Sequence, residues 1–219
     1  MKSVPRALIV IVLALLPMAL FGQANHMRVR TFIGIEPIGR FTADHLSVPN
    51  PPGATGRVTW NASYHISPGL EVFWIITPQV EVGAGFRYEL QRRVFHDSVD
   101  DAMFQFIPLY AAVRYRFLDT EKADLFLEGK AGYAFFQPSK AFLSIWDSEG
   151  GALQSTSGGL YASAIIGTVF PFLERPKWAL EASLDVGYAY HMARGKNSVR
   201  EYPMNYHAMT ADFSLDFRF

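Results

Sequence analysis

Six histidines carry most of the candidate chemistry in this sequence of 219 residues. They are dispersed along the chain, at His26, His45, His65, His96, His191 and His207. No two of them have the spacing of a metal-binding pair, and none belongs to a recognisable carboxylate motif. There is no cysteine, which excludes disulfides, thiol catalysis and thiolate metal sites. The residue types therefore predict no metal site and no cofactor.

One short motif places a histidine beside a hydroxyl nucleophile. His65-Ile66-Ser67 resembles the His-x-Ser pair of the lipid A deacylases of bacterial outer membranes. In that family the histidine activates the serine for ester hydrolysis. The family carries the pair late in the chain, whereas here it precedes the second predicted strand. We therefore predict no catalytic residue, and keep a deacylase-like lipid-modifying enzyme as an alternative.

The N-terminus has the layout of a secretory signal peptide. Lys2 and Arg6 form a basic head, Ala7–Phe21 is apolar, and Gly22-Gln23-Ala24 supplies small residues for a signal peptidase. We expect cleavage after Ala24, which leaves residues 25–219 as one domain. The alternative is an uncleaved anchor, but the apolar run is shorter than the ~20 residues of a typical membrane-spanning helix.

Downstream of Ala24 the dominant hydrophobic period is two, as in β-strands that have one apolar face. Eight segments show it, each about as long as the ~9–11 residues with which a tilted strand crosses a bilayer. The clearest segment, at the C-terminus, alternates polar residues with Met209, Ala211, Phe213, Leu215, Phe217 and Phe219. The predicted fold class is all-β: a closed antiparallel up-and-down transmembrane β-barrel of about eight strands.

The connections between these segments alternate between long and short. The long ones are Arg40–Ser63, Arg92–Asp101, Gln137–Ser157 and Met192–Asn205. Transmembrane barrels combine long external loops with short periplasmic turns. An even number of strands then places both mature termini in the periplasm of a bacterial envelope.

Charged side chains are confined to one face of the strands, in nearly equal numbers of acids and bases. We predict an interior charge network of Arg28, Arg30, Glu81, Arg87, Glu89, Arg114, Arg116, Glu128, Lys130, Glu181, Asp185, Asp212, Asp216 and Arg218. Strands one and eight meet at closure, so Asp212 and Asp216 are expected to pair with Arg28, Arg30 and Arg218. An unpaired buried ion is costly, so balanced charge suits an enclosed interior. The alternative is the solvated outer face of a soluble, lipocalin-like barrel.

The apolar face sorts aromatic residues to its two ends, with aliphatic residues between them. This arrangement is typical of membrane barrels, because amphipathic rings favour the bilayer interface. The terminal Phe213, Phe217 and Phe219 resemble the C-terminal signal of bacterial outer-membrane barrels of the OmpA/OmpX-like superfamily. In that superfamily the barrel-assembly machinery reads this signal.

Eight strands leave little lumen, so we expect no open pore, with a narrow ion channel as an alternative. Zero net charge gives no basis for nucleic-acid binding. The sequence predicts a monomer in contact with outer-membrane lipid and lipopolysaccharide. Its predicted role is structural, or one of surface interaction through external loops that contain Trp60 and Trp146.

Overall fold

The computed structural model describes residues 26–44, 57–96, 99–120, 123–147, 153–197 and 201–219. The predicted signal peptide, residues 1–24, lies outside these ranges. The elements are β1 Met27–Asp44, β2 Arg57–Ala62, β3 His65–Ile75, β4 Val80–Arg87, β5 Arg92–Arg93, β6 Met103–Asp119, β7 Asp124–Pro138, α1 Lys140–Asp147, β8 Ser155–Arg175, β9 Trp178–Lys196 and β10 Glu201–Arg218.

The strands form a closed antiparallel ring with eight positions. β2 and β3 occupy one position, because both pair with β1, at Gly39–Asp44 and Met27–Glu36 respectively. β4 and β5 both pair with β6 and share another position. The ring closes where β1 pairs with β10 along almost its whole length. The predicted fold class is thereby confirmed.

Several strands run further than the sequence predicts. β1 continues through a bulge between Ile35 and Ile38, which shifts its pairing with β10 and contains Pro37. Beyond the bulge the inward side of β1 is reversed in phase, so Phe41 points inward and is fully buried. The strand therefore continues into the predicted loop Arg40–Ser63, which also contains β2.

The other three predicted loops also contain regular structure. β5 lies in Arg92–Asp101, and α1 lies in Gln137–Ser157. β9 extends to Lys196 and β10 starts at Glu201, within the predicted loop Met192–Asn205. We call the end of the barrel that carries Met27 and Arg218 the terminal end, and the end that carries α1 the distal end.

Burial is inverted relative to a water-soluble protein. Large apolar side chains face outward, including Ile33 at 55% exposed and Leu184 at 52%, whereas Arg28 and Arg30 are fully buried. Exposed apolar area on this scale is unfavourable in water, and lipid removes that cost. The outer surface therefore fits a bilayer and does not fit a lipocalin-like barrel.

Exposed aromatic side chains lie at both margins of this apolar belt. Trp74, Tyr115 and Phe117 face outward towards the terminal end, and Tyr88 and Tyr133 face outward towards the distal end. Rings at two heights with aliphatic residues between them match the two interfaces of a bilayer. Among the described residues, no helix is long and apolar enough to cross a membrane.

Candidate functional site: the filled lumen

Ion pairs fill the middle of the barrel, and Arg30 is at their centre. Its guanidinium lies 3.1 Å from Glu71 and 3.5 Å from Glu128, and it also donates to Asp185. Lys130 also binds both Glu71 and Glu128. Arg30, Lys130, Glu71 and Glu128 each have at least two partners of opposite charge, which compensates for the low dielectric of an enclosed interior.

A second group of ion pairs continues towards the terminal end. Arg28 pairs with Glu181 and lies 3.3 Å from Glu81. Arg116 also reaches Glu81, at 3.1 Å, and Arg114 contacts Glu128 at 2.7 Å. Shared carboxylates thus link the two groups into one network across the lumen.

Thirteen of the fourteen residues predicted for the interior network are buried, at 8% exposure or less. Arg218 differs, because its side chain is 36% exposed at the terminal rim and pairs with Glu174 and Glu181. Asp216 lies 3.8 Å from Arg28 and 4.0 Å from Arg30.

The expected pairing of Asp212 with Arg28, Arg30 or Arg218 is wrong. Its carboxylate binds Arg87 of β4 instead. Strand adjacency does not decide the pairing, because long side chains cross the lumen and meet partners on distant strands. Gly34 leaves room for this contact: a Cβ there would collide with Asp212, Ser67 and Arg87.

A separate polar cluster lies above the network, towards the distal end. Arg92 donates to Glu36 at 2.7 Å and to Glu89, and its Nη2 lies 2.7 Å from Nε2 of His65. Nε2 of His191 lies 2.7 Å from Glu89, and the hydroxyl of Tyr206 donates to Glu36 at 3.2 Å. All six side chains are buried.

This cluster was not predicted from the sequence, because Arg92 lies in a predicted external loop and the histidines are dispersed along the chain. In the fold, one ligand atom each from Glu36, His65 and Glu89 lies within 4.8 Å of the others. The three residues come from three segments, so only the pairing of strands shows the grouping. Of the cluster residues, only Glu89 belonged to the predicted interior network, which was the one signal of this grouping.

Aromatic side chains close the distal end above the polar cluster. Phe142 of α1 lies 5.2 Å from Phe41 and 5.8 Å from Phe104, centroid to centroid. Trp146 lies 5.2 Å from Phe142 and 6.1 Å from Trp60. We call these five residues the aromatic cap. Packing of the apolar face of α1 against the inner wall buries them all.

The cap corrects one expectation about the loops. Trp60 and Trp146 were predicted to lie in loops where they could contact partners, but they are 8% and 2% exposed. Their rings stabilise the closed end of the barrel. Trp60 and Trp146 are therefore not available for contacts with a partner at this end.

The His-x-Ser pair lies on the inner face of β3, with both side chains buried. The hydroxyl of Ser67 accepts a hydrogen bond from Arg87 at 3.2 Å, and His65 contacts Arg92. A serine nucleophile needs a base that accepts its proton. Here the neighbour of the hydroxyl is a cationic donor, which does not support the deacylase alternative.

No protein-family model matches this chain, and no curated protein matches its sequence. Solved structures show its fold. The outer membrane protein OprG from Pseudomonas aeruginosa is 12% identical, covers 90% of this chain and 96% of its own, and superposes with a TM-score of 0.57. Neisserial surface protein A, at 11% identity, covers 90% of this chain and 98% of its own with a TM-score of 0.42. The superposition on OprG shows that the chain has the fold of a small outer-membrane β-barrel, in agreement with the resemblance noted in its sequence.

Proposed function

We propose that this chain is an integral protein of a bacterial outer membrane, with a closed lumen and a structural or surface-interaction role. One observation carries the proposal: the barrel interior is filled by paired ions and covered by the aromatic cap, while its outer belt is apolar. A barrel of this construction anchors its distal surface in a membrane without passing solutes. The distal end would then be external and both mature termini periplasmic.

The lipid partners follow from the outer surface. Arg40, Arg194 and Lys196 are exposed on the distal parts of β1 and β9, beyond the apolar belt. Guanidinium and ammonium groups at this height can bind phosphates of lipopolysaccharide. The chain would function as a monomer, and any surface ligand would bind the exposed distal rim.

Conductance in planar lipid bilayers tests this proposal. Purified, refolded protein should insert without producing discrete current steps, because the cap and the network both obstruct the lumen. A conducting eight-stranded barrel measured in parallel shows that insertion is detected. Reproducible current steps from the wild-type protein would overturn the closed-lumen proposal and favour the narrow-channel alternative.

The C-terminal phenylalanine offers a test of membrane assembly. The backbone N–H of Phe219 donates to the carbonyl of Met27 at 2.8 Å, so this residue completes the closure of the ring. Phe219→Ala keeps these backbone bonds but removes the ring that assembly machinery would read. We expect less folded protein in cells and unchanged refolding in detergent, as judged by heat-modifiable gel mobility. Phe172→Ala, at another exposed aromatic, is the control; equal cellular losses would contradict the assembly role.

A further inference from the structure

The polar cluster towards the distal end has an arrangement that ion pairing alone does not explain. We propose that Glu36, His65 and Glu89 form a binding site for a divalent transition metal of the zinc class, and that the metal competes with Arg92 for these ligands. The proposal goes beyond the structural role, because a closed barrel needs no metal.

The ligand geometry is the first argument. Oε1 of Glu36 faces Nε2 of His65 at 3.5 Å. Two ligands at ~2.1 Å from a tetrahedral zinc ion are about 3.4 Å apart, so the two atoms already have the separation of a metal-bound pair. Glu89 supplies a third ligand atom within 4.8 Å of both. Imidazole and carboxylate together suit zinc and its neighbours in the first transition series.

An unpartnered buried oxygen is the second argument. Oε1 of Glu36 is completely buried and makes no hydrogen bond to any described residue. Arg87 approaches it only to 3.8 Å, and that guanidinium is already bound to Asp212 and Ser67. The facing nitrogen of His65 accepts from Arg92, so its lone pair also points into the cluster. The buried oxygen without a donor therefore faces a nitrogen whose lone pair is occupied only by Arg92, and a cation that displaces Nη2 would bind both atoms.

Charge gives a third, independent argument. The buried residues of the described ranges include nine carboxylates but seven arginine and lysine side chains. Part of this excess lies in the cluster, where Glu36 and Glu89 both depend on Arg92. A divalent cation in the cluster would offset the excess of two buried carboxylates over the whole lumen. His191 would act as a positioning residue, because its Nε2 lies 2.7 Å from the second oxygen of Glu89.

Arg92 can give up part of its contacts without leaving the cluster. Its Nη1 binds Glu36, while Nη2 makes the contacts with His65 and Glu89. The guanidinium also lies 4.2 Å from the ring centroid of Tyr206, a cation–π contact that does not depend on Nη2. Withdrawal of Nη2 alone would free the nitrogen of His65 and one oxygen of Glu89 for a metal.

Metal binding by the untagged protein tests the proposal. Wild type, His65→Ala, Glu89→Gln, His191→Ala, Arg92→Met and His207→Ala are refolded in detergent with zinc sulfate and dialysed. Bound zinc is measured by mass spectrometry, and each value is divided by the folded fraction from heat-modifiable mobility. Visible absorption after cobalt substitution reports whether the site is tetrahedral. His207, an exposed histidine outside the cluster, serves as the matched control.

We expect one zinc ion per folded wild-type chain and unchanged binding by His207→Ala. His65→Ala should lose saturable zinc binding. If His65→Ala folds poorly, loss of zinc binding by Glu89→Gln tests the same set of ligands. His191→Ala should weaken binding by about tenfold, as for other groups that orient a ligand. Arg92→Met should bind more tightly than wild type. Wild-type binding no stronger than that of His65→Ala would overturn the proposal, as would binding by Arg92→Met alone.

Discussion

At the scale of single residues, the lumen is organised by ions that share partners. Glu71 is an example: it is fully buried and binds Arg30, Lys130 and the hydroxyl of Tyr110, which donates to it at 2.8 Å. Such a carboxylate is held by partners from three other strands. Loss of one shared partner leaves more than one cation poorly compensated, so single substitutions in the network should have large effects.

Glu71→Ala should therefore strongly destabilise the barrel. Removing one member of a buried ion cluster costs about 3 to 5 kcal/mol, because the remaining charges stay in a low dielectric. The free energy of unfolding in lipid vesicles, obtained from urea titration, measures this cost. Glu201→Ala is the control, since it removes an exposed carboxylate paired with Arg194. Equal unfolding midpoints for the two variants would contradict the proposed importance of shared partners.

The pairing of Asp212 can be decided by double-mutant cycles. Asp212→Ala and Arg87→Ala should show a coupling energy of about 1 to 3 kcal/mol, as expected for buried residues in direct contact. Asp212→Ala and Arg28→Ala should be nearly additive, because Arg28 pairs with Glu81, Glu181 and Asp216. The same vesicle unfolding assay supplies the energies. A larger coupling energy between Asp212 and Arg28 than between Asp212 and Arg87 would support the pairing expected from strand adjacency.

At the scale of elements, α1 decides how the distal end is closed. The helix follows β7 directly and places Phe142, Ile145 and Trp146 on the face that packs into the barrel. Its Ser139 hydroxyl accepts from the backbone N–H of Phe142 at 3.0 Å, which satisfies one free donor of the first turn. A helix this short is only marginally stable in isolation, so the contacts of its apolar face with the barrel hold it in place.

Truncating the cap should undock α1 without opening the lumen. Phe142→Ala and Trp146→Ala each remove a buried ring, which costs about 3 to 5 kcal/mol of packing where the site cannot collapse. In the double variant we expect faster proteolysis of α1 and stronger acrylamide quenching of the remaining tryptophan emission, because Trp60 loses its contact with Trp146. Bilayer conductance should stay absent, since the ion network remains.

Lys140→Ala is the control for the cap variants, because it changes an exposed residue of the same helix. It should leave both proteolysis and quenching unchanged. Current steps from the double variant would show that the cap alone closes the lumen and that the network beneath it conducts ions.

At the scale of the whole molecule, the barrel buries its charged network in the lumen and exposes a belt of apolar side chains. In water this arrangement would cost both the exposed apolar surface and the buried ions. In a bilayer the apolar belt is solvated by lipid, and the pairing of β1 with β10 satisfies the two strands that would otherwise be edges of the sheet. The energetics therefore depend on the height of a residue relative to the bilayer, and the effect of a substitution should vary along a strand.

Leu184→Arg tests this dependence. Leu184 faces outward in the middle of β9, between Trp178 and Tyr190. An arginine near the bilayer midplane should lower the free energy of unfolding in vesicles by about 2 to 4 kcal/mol. Thr59→Arg, on the outward face of β2 near the distal rim, is the matched control and should cost at most about 1 kcal/mol. Equal costs would show that the two positions do not differ in depth.

Much of this architecture is determined by the sequence alone. A period of two needs only the pleat of a strand, so alternation reveals the strands and assigns Arg28, Arg30 and Glu81 to one face. The even strand number follows from the same count. Even the membrane setting is readable, because aromatic residues such as Trp74 and Tyr133 are sorted by height along their strands.

Other features were decided only by the tertiary structure. The bulge at Pro37 reverses the phase of β1, so the alternation used to find strands no longer marks Phe41 as inward. Arg87 meets Asp212, and Glu36 meets His65 and Glu89, because a closed ring brings strands that are distant in sequence within reach across the lumen. Trp60 and Trp146 are buried because α1 turns inward. The hydrophobic period and the composition of a segment show which of its faces meets lipid and which meets the lumen. The contacts named above depend instead on which segments lie opposite one another in the closed ring.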